Sequence, residues 1–224
     1  MVVGSAQLEQ QPPLADVGGP SHDGAMRRIT VNNNVSLDGV MQAPMSAAED
    51  ARGDFPYGGW ALAGNDEALA AEMGVGMNSD GAMLFGRRTY DNMAAFWPHQ
   101  TDGNPFTEYM NRVEKFVVSR NPQTKLDWQN STLLAGDAAE TVAALKQSDG
   151  PDLTILGSGE LVRALAAAGL IDEYVLIIHP VVLGTGIRLF DGTHQAFELT
   201  RSITTPKGVT VAHYLPIGAP EAAP

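Results

Sequence analysis

The 224-residue sequence predicts a single α/β domain built on a mixed sheet, parallel in part, with an antiparallel C-terminal hairpin and helices on both faces. Three observations predict it. Short apolar runs alternate with stretches of helical period from residue 28 to residue 168. After Gly169 the helical pattern stops and only β-prone runs follow. Three of the earlier runs also end in Gly, Ser or Arg just before a helix or turn, as strand ends do where an α/β sheet opens onto a ligand crevice.

Residues 28–34 alternate Ile29 and Val31 with Thr30 and Asn32, the period of a first strand. Residues 36–54 are rich in Gly, Pro and small polar side chains and read as a loop, and 62–73 reads as a helix. A strand over 81–85 runs into a helix over 87–95, which Pro98 helps to end. A helix over 105–113 and strands over 115–118 and 131–135 follow. Asp137-Ala138-Ala139-Glu140 is an Asx form of the capping box and opens a helix to Lys146, with Val142 and Leu145 on one face. A buried strand over 152–156 leads to a helix over 160–168, with Gly169 as its C-terminal stop. Tyr174-Val175-Leu176-Ile177-Ile178 forms the next strand. The arms 197–203 and 209–215 make a hairpin that turns near Pro206-Lys207-Gly208. The domain is expected over 27–215, after a disordered N-terminal extension (1–26) rich in Gln, Pro, Gly and Ser and before a flexible tail (216–224).

Lys and Arg number 14 against 26 Asp and Glu, a net charge of −12, which argues against nucleic acid or an anionic membrane as partner. With no cysteine, disulfides, thiol nucleophiles and thiolate metal sites are excluded. The five histidines show no paired ligand spacing, so no metal is expected. No stretch approaches ~20 apolar residues, and the N-terminus lacks the basic start and apolar core of a signal peptide, so a cytoplasmic location is expected.

Against so few cations, the strand ends stand out. Leu153-Thr154-Ile155-Leu156 stops at Gly157-Ser158-Gly159, and Glu160 and Leu161 open a helix at once. Small residues there let a ligand approach the backbone, and the first-turn N–H groups and helix dipole favour an anion such as pyrophosphate. Gly86-Arg87-Arg88-Thr89 begins a second helix with two guanidiniums and a hydroxyl, and Ser119-Arg120 ends a third run in the same manner. Arg is the side chain best shaped for bidentate phosphate contact. Together they suggest a nucleotide with several phosphates lying across the sheet edge.

These segments, Leu84-Phe85-Gly86-Arg87-Arg88-Thr89-Tyr90, Val117-Val118-Ser119-Arg120 and Ile155-Leu156-Gly157-Ser158-Gly159-Glu160, occur in the order found in the dihydrofolate-reductase-like fold. Asn34-Val35-Ser36-Leu37-Asp38-Gly39 resembles a narrower group, the C-terminal reductase domain of the bifunctional riboflavin-biosynthesis deaminase/reductase and its stand-alone relatives. The resemblance covers roughly 27–215. It implies NADPH as cofactor, held by Gly86, Arg87, Arg88, Thr89, Ser119, Arg120, Gly157, Ser158, Gly159, Glu160 and Leu161. It also implies a small-molecule substrate and a homodimer that pairs through the 174–182 run and the terminal hairpin.

The resemblance places the nicotinamide near the first strand and the loop after it, where Asp38 sits. Asp38 is a candidate to orient substrate or relay a proton; the alternative is a turn aspartate bonding its own backbone ahead of Gly39. The resemblance favours substrate orientation. Trp60, after Gly58-Gly59, is a candidate to close over a planar substrate ring, or a core residue anchoring the loop. Dihydrofolate reductases carry an acid on the helix after that loop; here Asp66 and Glu67 are the candidates, and the sequence leaves open which faces inward. With no cysteine the chain has no zinc deaminase motif. The expected function is an NADPH-dependent reductase passing hydride to a C=N or C=O group of a small cyclic or sugar-bearing substrate. The alternatives are an NADPH-binding sensor or accessory protein without turnover, and a ligand-free interaction domain.

Overall fold

A sheet needs a strand that is covered on at least one face and paired on both edges, and the 29–36 segment takes that place. β1 (Ile29–Ser36) buries Ile29, Val31 and Val35 on one face and pairs in parallel with β5 (Leu153–Leu156) on one side and β6 (Glu173–His179) on the other. The structure is a computed structural model and describes residues 26–75 and 81–218. Its other strands are β2 (Ala82–Gly86), β3 (Lys115–Ser119), β4 (Ser131–Ala135), β7 (Ala196–Thr204) and β8 (Thr210–Gly218). They form one sheet in the order β4-β3-β2-β5-β1-β6-β8-β7. It is parallel from β4 to β6 and antiparallel where β8 pairs with β6 and β7. The helices are α1 (Glu67–Gly74), α2 (Arg87–Phe96), α3 (Pro105–Arg112), α4 (Ala138–Lys146) and α5 (Gly159–Ala167).

Most expected elements fall where the periodicity put them. Asp137 caps α4 by accepting from the N–H groups of Ala139 (2.9 Å) and Glu140 (3.2 Å). Gly169 (φ +65°) ends α5: its N–H bonds the Ala166 carbonyl and that of Leu170 the Leu165 carbonyl. Two boundaries differ. The helix expected over 62–73 is broken into a 3-10 turn (Leu62–Gly64) and α1, because Asn65 is extended and the Asp66 carboxylate accepts from Leu69 N–H (2.8 Å), restarting the helix. The last strand, expected over 209–215, runs from Thr210 to Gly218, with Phe197 opposite Pro216 and Ala196 opposite Gly218. The expected extension at 1–25 and the tail at 219–224 lie outside the described residues.

The two faces of the sheet are filled differently. On one, α4 and α5 cover an unbroken core of Ile29, Val31, Leu153, Ile155, Leu161 and Leu165. Each such side chain contributes about 1.5–3 kcal/mol of burial. On the other, α2 and α3 cover β2 and β3 through Met83, Phe85, Tyr90, Val117 and Trp128, while α1 covers β6 and β8 through Leu69, Val175, Ile177 and Val211. Between these two clusters the central strands β5 and β1 present Thr154, Leu156, Thr30, Asn32 and Asn34, all only half-buried. The middle of the sheet is therefore the floor of a groove, walled by α1 on one side and by α2 and α3 on the other.

Lys115, at the start of β3, is fully buried on the groove side. Its ammonium donates to the carbonyls of Val113 (2.7 Å) and Gln129 (3.3 Å) and lies 4.4 Å from the Trp128 ring centre. Burial pulls its pKa down to about 8. A lysine that binds its proton less tightly when folded burdens the fold below the lowered value, and that burden lifts as pH rises toward the unfolded value. Wild-type stability measured against Lys115→Met by urea unfolding should therefore rise between pH 8 and pH 10, by at most about 1.4 kcal/mol per pH unit. A flat difference would contradict the burial of a charged Lys115.

Candidate active site

The carboxyl ends of β3, β2, β5 and β1 lie side by side in the sheet, so the three anion-furnished turns read from the sequence converge on one edge. The turn after β5 is built from two consecutive left-handed residues, Gly157 (φ +72°) and Ser158 (φ +68°). Glycine takes that conformation without strain; a non-glycine residue pays about 1 kcal/mol or more, and such strain marks sites where the backbone is held for a purpose. Three bonds hold it. Gly157 N–H donates to Asn33 Oδ1 on β1 (3.0 Å), Gly86 N–H donates to Ser158 Oγ (2.9 Å), and Ser158 Oγ donates to Thr89 Oγ1 (2.7 Å). Ser158 thus joins β5, β2 and the first turn of α2, and the Thr89 hydroxyl donates to no acceptor among the described residues.

The result is two helix starts aimed at one crevice without side-chain caps. Asp66, Asn104 and Asp137 cap α1, α3 and α4, whereas α2 and α5 have no side-chain cap bond. Uncapped first-turn N–H groups carry the positive end of the helix dipole and fit an anion.

The charged residues at this edge are already partly engaged. Arg87 pairs with Asp91 one turn along α2. Arg88 reaches across to Glu160 in the first turn of α5 (2.9 Å), and Arg52 from the loop after β1 approaches the same carboxylate (3.5 Å). Arg120 is exposed at the end of β3 and has no ionic partner among the described residues. Ser119 is buried, and its hydroxyl is committed to its own turn, bonding Thr124 Oγ1 (2.8 Å) and accepting from Asn121 N–H (3.2 Å). Gly159 packs against Met41, and the Leu161 side chain joins the core below.

The Asp38 carboxylate is engaged by donors of the chain itself. It accepts from Ser36 Oγ (2.7 Å) and from the N–H groups of Leu183 (3.1 Å) and Gly184 (2.9 Å), with Arg188 3.5 Å away. The Ser36 hydroxyl first, then the Leu183 amide, hold its pKa down to about 2. A carboxyl so fully bonded and ionised joins the 36–41 turn to the 181–189 loop. Trp60 likewise anchors its loop: its indole N–H donates to the Gln42 carbonyl (2.8 Å) and its ring meets His179 edge-on at 5.3 Å. Gln42 itself is buried, bonding the carbonyl of Arg52 (2.8 Å) and the N–H of Ile187 (3.0 Å). Of the two candidate acids after this loop, Asp66 is spent on the α1 cap and on Lys207 N–H (3.3 Å), and Glu67 is exposed.

Sequence reasoning missed Asn33, Asn34 and His179. His179 ends β6, is 2% exposed, and bonds Asn34 Oδ1 through Nε2 (2.8 Å); burial lowers its pKa, so it is neutral. Gly64 has no room for a side chain, since a Cβ would stand 2.6 Å from His179 Nδ1. Three successive asparagines in a strand otherwise destined for the core were the available signal.

Comparison with known proteins shows the family and the fold. The model of the RibD C-terminal domain matches residues 27–211. The chain belongs to that family. An uncharacterised Bacillus subtilis protein, YyaP, is 28% identical over 176 residues, 77% of this chain and 85% of its own. A putative riboflavin biosynthesis protein of Shewanella sp. PV-4 superposes with a TM-score of 0.61 at 22% identity, over 84% of this chain and 98% of its own. A dihydrofolate reductase of Enterococcus faecalis, in complex with NADP(H), superposes with a TM-score of 0.52 at 12% identity, over 86% and 98%. The fold of this RibD C-terminal domain is thus of the reductase type.

Replacing Asp38 by Asn should free the 181–189 loop to proteolysis and lower the melting temperature. Because the carboxyl is held below its ordinary 3.8, its contribution is present above that value and fades as pH falls toward about 2. Melting curves of wild type and variant should therefore converge in that acid window; parallel curves would contradict the assignment.

Proposed function

We propose that the protein is an NADPH-dependent reductase acting on a C=N or C=O group of a small cyclic or sugar-bearing molecule. The observation that carries this reading is the pair of uncapped helix starts, α2 and α5, at neighbouring strand ends, while the other three helices are capped by Asp or Asn. Bound NADPH would supply the hydride. The N–H groups after Gly157 would hold its pyrophosphate and the Thr89 hydroxyl would donate to it. Arg87, Arg88 and Arg120 are the cations nearest these turns in sequence and would serve the 2′-phosphate. Glu160 competes with phosphate for Arg88, so phosphate binding would exchange one anion for another there. The groove over β5 and β1 begins at the same edge and would take the substrate, with α1, α2 and α3 excluding water. Asp38 would serve by fixing the loop at the groove mouth, not as a proton donor, since it is ionised at neutral pH.

Calorimetric titration tests this reading. NADPH should bind more tightly than NADH, and Arg120→Ala should weaken NADPH by roughly tenfold or more while leaving NADH nearly unchanged. Absence of NADPH binding to the wild type would overturn it. The homodimer expectation has a physical basis in β7, an edge strand with five successive exposed residues, and in the exposed Leu199 and Ile217. Sedimentation should give about twice the 23.7 kDa chain mass; a monomer at micromolar concentration would contradict it.

A further inference from the structure

The groove floor is uncharged and, apart from Leu156 beside Asn32, polar. Thr30, Asn32 and Asn34 recur every second residue along β1, ~6.6 Å apart, and Thr154 lies opposite Thr30 on β5. Among the described residues every side chain on this strip is uncharged. The nearest carboxylate in the register is Glu173, opposite Thr30 at the far end, and it is engaged by His213 (2.9 Å), Arg28 (3.5 Å) and Thr30. At the near end His179 donates its Nε2–H to Asn34 Oδ1. That bond turns the amide oxygen toward His179, and among the described residues its NH2 group has no partner. Trp60 and the close approach of Gly64 hold the His179 ring in place.

Uncharged donors and acceptors in a partly desolvated groove discriminate against charge, because a charged ligand gives up its hydration and finds no counter-ion. An amide held with its oxygen on His179 discriminates further, since the NH2 group is the half it turns away from that ring. We propose that this groove selects an uncharged substrate moiety bearing a carbonyl or imine acceptor, and that Asn34, held by His179, is the donor that meets that acceptor. This deepens the reductase reading and rests on it for the hydride. When hydride from NADPH arrives at the carbon of such a group, the π bond breaks and negative charge grows on the oxygen or nitrogen; a fixed N–H donor there stabilises it, and a proton from water completes the reduction. Asn34 would touch the reacting group; His179 would act as a positioning residue through it.

Three probes of one shape and different charge test this: benzamide (neutral), benzoate (anion) and benzamidine (cation). Each is titrated into isotope-labelled full-length protein, with and without NADPH, while the side-chain amide signals of Asn32 and Asn34 are followed by NMR. Benzamide should shift those signals and bind at least about tenfold more tightly than either charged probe. Asn34→Asp, or Asn32→Asp should the first variant not fold, puts a carboxylate on the floor and should move benzamidine to first place. His179→Phe keeps a buried ring but releases the Asn34 amide to turn over, so benzamide should lose its lead over benzamidine without loss of the fold. Tighter binding of benzoate or benzamidine to the wild type, no binding of any probe at these asparagines, or an order unchanged by Asn34→Asp would each overturn the proposal. If benzamide binds as stated but NADPH does not bind at all, the groove assignment stands and the reductase reading falls.

Discussion

The bond from Gly157 N–H to Asn33 Oδ1 is the interaction on which the rest of the site depends. Asn33 is 3% exposed in the central strand, so an unbonded amide there would be costly. Satisfying it draws the turn after β5 onto β1 and sets Gly157 and Ser158 in their left-handed conformations. Ser158 is then placed to bond Gly86 and Thr89, which fixes the start of α2 beside the start of α5. One buried side chain thus aligns two helix dipoles on one crevice. The same strand, on its opposite face, supplies the groove floor. The anion turn and the groove are two faces of β1, which explains why they share an edge.

This arrangement gives up ordinary stability in places. The middle of a sheet is where apolar burial contributes most, yet the strip over β5 and β1 is polar and half-open. Ser158 carries backbone strain, and α2 and α5 forgo caps worth ~1 kcal/mol each. The opposite face offsets these losses with an unbroken aliphatic core under α4 and α5. Polar bonds tie the loops at the groove mouth together: Asp38 and Gln42 each reach the 181–189 loop, so the chain after β1 and the chain after β6 form one rim.

Much of the fold was legible in the sequence because strand and helix periods there agree with local punctuation. The capping box at Asp137 and the stop at Gly169 need only near neighbours to be understood. That the ends of β3, β2 and β5 lie on one edge was legible too, since right-handed crossovers bring the carboxyl ends of parallel strands together. What escaped was whatever depends on partners far along the chain. Asp38 reads locally as a turn or substrate residue, but its deciding partners lie at 183 and 184 on another loop. Asn34 reads as an oddity in a strand until His179 arrives beside it across the β1–β6 ladder. Asn65-Asp66-Glu67 carried a helix-start signal against the apolar pattern of 62–73, and the Asp66 cap decided the boundary.

The central claim is that the starts of α2 and α5 form one phosphate cradle, and backbone NMR on labelled protein during an NADPH titration tests it most directly. The account predicts saturable shifts of the amides of Gly159, Glu160 and Leu161 together with those of Arg87, Arg88 and Thr89, at a single affinity. Shifts confined to one of the two helices, or centred on the β7–β8 hairpin at the other side of the sheet, would contradict it.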